Sequence, residues 1–143
     1  MIPTNYYEKI LDLIPICCVD VIIVSDDKYL LIKRRKDPEK NKWWVPGGRI
    51  FKGERIKTCA LRKAKEEAGL KCSFVKILGI YETFFDKGIY GKPVHTINVM
   101  CLLKKNGNNI ELDNNHSDYC WKDKIDQSLN HDIINFLKKS GFS

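Results

Sequence analysis

The chain has 143 residues, 43% of them hydrophobic, with a formal net charge of +7. That length fits one domain, 1–143, with a real core, and the apolar content excludes a disordered chain. The positive excess favours a polyanionic partner (a nucleotide, a nucleic acid or an anionic membrane surface), although a merely soluble basic surface gives the same number.

The N-terminal Met1-Ile-Pro-Thr lacks the basic stretch and apolar run of a signal peptide. Asn5 to Leu13 reads as a short helix, with Tyr6, Ile10, Leu11 and Ile14 near one face and Pro15 ending it. Ile16 to Val24 is rich in valine and isoleucine and reads as a buried strand. The apolar run around it is short, is interrupted by Asp20, and cannot span a bilayer. Ser25-Asp26-Asp27 is a turn into a second strand, Lys28 to Arg35, which makes a hairpin. A polar loop, Asp37 to Lys42, precedes the extended Trp43-Trp44-Val45-Pro46 and the pair Gly47-Gly48.

Glu54 to Ala68 is the strongest helix, with Ile56, Cys59, Ala60, Ala64 and Ala68 on one face and Gly69 as its C-cap. Ser73 to Phe85 and Val94 to Leu103 are strands, Gly107 to His116 is turn-like, Tyr119 to Trp121 is a short strand, and Leu129 to Lys139 is an amphipathic helix. Strands interleaved with helices predict an α/β or α+β layered domain with a mixed sheet. Six cysteines at 17, 18, 59, 72, 101 and 120 form no C-x-x-C and mostly lie in apolar runs, so they read as reduced, buried thiols of a cytoplasmic protein.

The chemistry is concentrated in Gly48 to Leu70, G-R-I-F-K-G-E-R-I-K-T-C-A-L-R-K-A-K-E-E-A-G-L. A glycine loop opens into a helix carrying acids at fixed phase. Arg62 and Glu66 share a face, as do Lys63 and Glu67. Charges alone fit a solvated surface helix, but such a helix has no use for the glycines in front of it. Glycine there permits backbone turns that bring carbonyls inward, and carbonyls with carboxylates serve a hard cation.

This segment resembles the signature box of the Nudix hydrolases, G-x5-E-x7-R-E-U-x-E-E-x-G-U, with Lys63 standing where that pattern has glutamate. The resemblance implies the Nudix fold, an α/β/α sandwich, and hydrolysis of a nucleoside diphosphate linked to another group. It implies Glu67 and Glu66 as metal ligands, a carbonyl of Gly47 or Gly48 beside them, and Glu54 holding Arg62 or the loop. Lys63 either grips phosphate, or lowers the number of metal ions bound, or swings to solvent on its long stem.

Pro15 to Ile23, Leu30 to Arg34, Trp44 to Arg49 and Asn115 to Trp121 are further similar to the GDP-mannose mannosyl hydrolase branch, whose box also lacks that glutamate. That likeness implies one Mg2+ ion, release of GDP and free sugar from GDP-mannose or GDP-glucose, inversion at the anomeric carbon, and a homodimer. It implies His116 as the base that activates water and Asp20 as an acid near the site. It further implies Asn115 as a metal ligand and Arg34, Arg49 and Arg62 facing the diphosphate. Imidazole titrates near neutral pH, and the arginine fork holds phosphate oxygens at two points. The likeness also implies Tyr6 and Tyr7 stacking on the base, with plain packing as the alternative, while His95 and His131 read as structural. Asn98 stands where the branch has a tyrosine, and Glu66 is kept where the branch often lacks it. The alternative is a Nudix diphosphatase cleaving the diphosphate of an NDP-sugar or nucleoside triphosphate. A binding module for nucleotide or RNA is a third reading, against which the metal helix and the histidine argue together.

Overall fold

The computed structural model describes residues 2–107 and 109–143. Met1, where the leader reading begins, and Asn108, inside the predicted turn segment, lie outside the described residues. In chain order the elements are α1 (Thr4–Leu13), β1 (Ile16–Ser25), β2 (Lys28–Arg34), β3 (Trp43–Trp44), β4 (Gly47–Arg49), α2 (Ile56–Ala68), β5 (Cys72–Phe85), a 3₁₀ turn (Ile89–Gly91), β6 (Val94–Lys105), β7 (His116–Lys122) and α3 (His131–Lys139).

β1 is central because it is apolar on both faces, and a strand of that kind needs cover on both sides. It runs parallel to β6 along its length, and β6 is antiparallel to β5. On its other edge β1 changes partner. Cys18 to Asp20 pair with β4, and only Val24 and Ser25 pair with β2. The β1–β2 turn has both Asp26 and Asp27 at positive φ, the backbone of a tight two-residue hairpin. β2 also carries β3 and β7, which completes a mixed sheet.

The two faces are covered by different helices, which gives the α/β/α layering. α2 presents Cys59, Ala60, Ala64 and Ala68, all fully buried, to Val19, Val21, Ile23, Leu30 and Leu103. Its small side chains allow close approach to the sheet. Gly69, at φ 68°, ends it in the left-handed conformation. α3 packs Ile133, Ile134 and Leu137 on Ile22, Leu31, Tyr81 and Met100. It is capped by Asn130, whose Oδ1 accepts from the backbone N–H of Asp132 at 2.8 Å and of Ile133 at 3.3 Å.

Several expectations change. On α1, Leu11 is buried and Ile10 half-buried, but Tyr6 and Ile14 are exposed; Tyr7 turns inward instead. β7 starts at His116, earlier than the short apolar stretch indicated, because its first turns of alternation carry polar, exposed Ser117 and Asp118. The six cysteines are free thiols, yet only Cys59 and Cys101 are fully buried, and Cys17 is exposed. Among the described residues, no helix is long and apolar enough to cross a membrane.

Candidate active site

The partner change along β1 leaves Asp20 and Gly47 facing each other at the base of a cleft of about 530 Å³. The cleft is lined from α1, β1, the end of β2, β3, β4, β5, β6, the last turn of α2 and the start of β7. Sequence-distant groups meet here because β1 is the shared neighbour of β4 and β6.

Glu67 comes from the last turn of α2 and is only 8% exposed. Its Oε1 accepts the N–H of Gly47 at 2.8 Å. Burial raises its pKa, opposed by the positive charge of Lys63 and by His116. The double glycine is fixed by space and not by backbone conformation. Neither residue is in the left-handed region; Gly47 requires the absence of a side chain, whereas one at Gly48 would have to push aside the flexible end of Lys63. A Cβ on Gly47 would lie 1.9 Å from Oδ1 of Asp20, and one on Gly48 would lie 2.6 Å from Cε of Lys63.

Lys63 does not swing to solvent. Its Nζ lies 3.3 Å from Glu66 and 3.5 Å from Glu67, with the side chain 16% exposed. Glu66 points away from the cleft, half exposed, toward Arg62 and Lys63. Burial works to raise its pKa, but those two cations outweigh it and hold the carboxyl below its usual range.

Arg62 also departs from the diphosphate-facing role. Its Nε and Nη2 donate to the two carboxylate oxygens of Glu54 at 2.7 and 2.9 Å, Nη2 also donates to Arg49 O at 3.0 Å, and Nη1 meets Glu66 at 3.1 Å. A guanidinium so committed to protein acceptors fastens the loop to α2. The Arg62 fork holds the Glu54 carboxyl down at about 2. That pair therefore stabilises the fold above the ordinary carboxylate range, and its contribution is lost as pH falls toward about 2. Arg62→Lys, which keeps the charge but not the fork, should lower stability at pH 7 by about 2 kcal/mol. In denaturant unfolding across pH the deficit should close in acid; a deficit unchanged from neutral pH to pH 2 contradicts this role.

Arg49 lines the cleft, its guanidinium 4.7 Å from the ring of Tyr7 and 5.3 Å from that of Phe51. Its Nη1 is buried and has no hydrogen-bond partner, the sole such side-chain atom among the described residues. A buried donor without an acceptor is costly, and an anionic ligand would satisfy it. Arg34 also lines the cleft, with Nε donating to Pro38 O at 2.6 Å. Tyr7 stands at the wall beside Tyr90, ring centroids 6.4 Å apart, whereas Tyr6 lies outside.

His116 begins β7, is 4% exposed, and has Nδ1 2.7 Å from Oδ1 of Asp113. Asp113 has its own backbone N–H on Glu67 O at 3.2 Å, which ties this loop to the end of α2. Ligand atoms of Glu67, Asp113 and His116 all lie within 4.8 Å of one another, a group that could hold a metal ion. Asn115 lines the cleft, with its backbone N–H on Asp113 Oδ1 at 3.1 Å.

Asp20 is buried, and the Tyr81 hydroxyl donates to its Oδ2. Burial pushes its pKa up to about 7, although the Tyr81 bond works the other way. Asp113 and Tyr81 were missed from sequence. One sits in a polar loop like many others, and the other is an aromatic inside a strand, which carries no signal of its own. His95, on Glu82 at 2.8 Å and stacked with Phe84, and His131, on α3, lie outside the cleft.

The NUDIX domain family model matches residues 17–132. The chain belongs to the Nudix family. Low-salt glycan biosynthesis protein Agl8 of Haloferax volcanii is 32% identical over 120 residues, 81% of this chain and 76% of that protein. An ADP-ribose pyrophosphatase of Methanocaldococcus jannaschii is 41% identical over 69 residues, 48% of this chain and 41% of that one. Among solved structures, a MutT NUDIX hydrolase from Burkholderia pseudomallei superimposes with a TM-score of 0.72 at 25% identity, covering 87% of this chain and 97% of that one. The α/β layering and mixed sheet are thus those of a Nudix hydrolase, a family that acts on nucleoside diphosphate derivatives.

Proposed function

We propose that this Nudix hydrolase splits a nucleoside diphosphate sugar, GDP-mannose or GDP-glucose, into GDP and free sugar by water attack at the anomeric carbon. The observation that carries the reading is Lys63. Its ammonium sits between Glu66 and Glu67, so part of the box's negative charge is already balanced by the protein. A cluster of several divalent ions loses its counter-charge there, and attack at phosphorus depends most on such a cluster.

The remaining donors suit one hard cation. Glu67, the carbonyls of Gly47 and Gly48 and the side-chain amide oxygen of Asn115 would hold it, all oxygen donors of the kind that Mg2+ takes. When bound, that ion supplies charge neutralisation at the departing diphosphate. Arg49, with its unpartnered Nη1, and Arg34 hold the phosphate oxygens. His116, oriented through Nδ1 by Asp113, uses Nε2 to take a proton from water. The water oxygen bonds to the anomeric carbon, and the bond from that carbon to the diphosphate oxygen breaks with its electron pair going to GDP. A neutralised diphosphate leaves without a general acid, unlike the alcohol expelled by ordinary glycosidases. The name of the Haloferax volcanii relative, a glycan biosynthesis protein, accords with a glycosyl substrate.

A second reading rests on the pyrophosphatase relative, which matches this chain over about half its length. In that reading water attacks phosphorus and releases a sugar phosphate. Incubation of a panel of nucleotide sugars with Mg2+, with products resolved by NMR, separates the two. Free sugar plus GDP supports the proposal, and sugar phosphate plus GMP refutes it. The role of Lys63 is checked in the same system. Lys63→Glu should raise the number of Mn2+ ions bound per chain above one in a titration followed by electron paramagnetic resonance. An unchanged count argues against the lysine standing in for a cation. We also propose that the protein is a cytoplasmic homodimer.

A further inference from the structure

One part of the cleft is not used by the chemistry above. On the face of the sheet that carries Asp20, cross-strand rows follow one another at every second residue. Asp20 is in register with Gly47 and Met100, Cys18 with Arg49 and Asn98, and Ile16 with Thr96. β5 extends the second row with Tyr81 and the third with Thr83. Successive rows on one face are about 7 Å apart. The row next to Asp20 therefore carries Asn98, and the one beyond carries Thr96 and Thr83.

These three side chains are buried, line the cleft and are hydrogen-bonded to one another. The Asn98 amide nitrogen donates to Thr96 Oγ1 at 2.7 Å and to Tyr81 O at 3.3 Å, which fixes which end of the amide is oxygen. The hydroxyls of Thr83 and Thr96 bond each other. That bond uses one of their two protons. Left over are the second hydroxyl proton and Asn98 Oδ1, an acceptor that has no partner among the described residues and is not sealed from the cleft. The floor is uncharged. Its neighbour Cys18 is held as a neutral thiol, burial having pushed its pKa up to about 12.

Resting on the functional reading above, we propose that Asn98, Thr96 and Thr83 form the subsite for the glycosyl ring of the substrate. The diphosphate needs cations, and on the middle row the cation is Arg49, two strands away from Asn98, about 10 Å at the backbone. A neutral floor with one acceptor and one donor suits adjacent ring hydroxyls, each of which can donate and accept. A sugar ring seated beside Asp20 extends over the neighbouring row, which carries Asn98. The departure from the tyrosine of the resembling branch then has a use: the shorter amide opens room for the ring and reads it.

Calorimetry in the His116→Ala background, where GDP-mannose is not consumed, tests the subsite. Affinities for GDP-mannose and for GDP are compared in Thr83→Val, Thr96→Val and Asn98→Ala. Each should bind GDP-mannose about tenfold more weakly and bind GDP within about twofold of the parent. Thr96→Ser, which keeps the hydroxyl, should restore GDP-mannose affinity. Equal losses for both ligands would mean that the floor holds the nucleotide, and unchanged affinities would mean that nothing is read there; either overturns the proposal, as does a parent that binds GDP no less tightly but GDP-mannose not at all. Asn98→Ala leaves Tyr81 O without its donor, so thermal unfolding accompanies it; the threonine variants, near-isosteric, carry the conclusion if that variant fails to fold. The bond cleaved is read separately from oxygen labelling. A selective loss of sugar affinity in an enzyme that attacks phosphorus would retain the subsite and discard the mechanism.

Discussion

Glu67→Gln should lower turnover of the preferred nucleotide sugar by at least about a hundredfold while the protein stays folded. The fold is spared because the side-chain amide oxygen still accepts the Gly47 N–H, now bonded to Oε1 at 2.8 Å. Function is not spared, because the substitution removes the buried negative charge on which a cation depends. Glu67 is the box carboxylate that combines burial, cleft lining and proximity to His116. Glu66→Gln supplies the contrast. That side chain is half exposed and engaged outside the cleft, so its loss should cost far less than the loss of Glu67. Steady-state kinetics at saturating Mg2+ and circular dichroism together decide the matter. Unchanged turnover in Glu67→Gln would remove the metal assignment, and equal losses in the two variants would remove the distinction drawn between them.

His116→Ala should reduce kcat by a factor of about a hundred to ten thousand, the range over which a positioned base contributes. KM for the nucleotide sugar should change little, because the imidazole acts on water and the diphosphate is held by other groups. The side chain is almost fully enclosed and anchored to Asp113, so the variant also creates a small void next to α2. His116→Asn, which retains a polar group, separates the two effects. Both variants should be comparably inactive. Recovery of most of the activity in His116→Asn would show that the histidine packs the loop and does not take the proton.

The fold was largely legible because its signals are local. α2 could be read from Cys59, Ala60, Ala64 and Ala68 recurring at helical spacing, then a glycine at the required stop. β1 could be read as buried because it is rich in valine and isoleucine, and the structure puts β4 or β2 on one edge and β6 on the other. What failed at this level was orientation. Tyr6 and Tyr7 are adjacent and chemically identical, and only the docking of α1 decides that Tyr7 faces the cleft.

The candidate site was legible in its residues and less so in their partners. The motif gave Glu67, Lys63 and the glycines their positions, but not the reason for the glycines. At Gly47 and Gly48 φ is ordinary; Asp20 and the Val19 carbonyl forbid a side chain at Gly47, and one at Gly48 would displace the end of Lys63, contacts that exist only after folding. Arg62 and Arg49 look equivalent as phosphate binders in the sequence. In the structure one guanidinium is fully bonded to Glu54, Glu66 and Arg49 O, while the other keeps a buried nitrogen without an acceptor. Asp20 bonds a tyrosine 61 residues away, a pairing fixed by β1 and β5 flanking β6. Asp113 escaped notice because an aspartate among polar loop residues carries no periodic signal.

The destination of the water oxygen tests the account most directly. Turnover of GDP-mannose with Mg2+ in heavy-oxygen water, followed by mass spectrometry of both products, should place the label in the free sugar at carbon 1 and leave GDP unlabelled. Label in a phosphate group, with the sugar unlabelled, would contradict attack at carbon and with it the role given to Lys63 in limiting the site to a single cation.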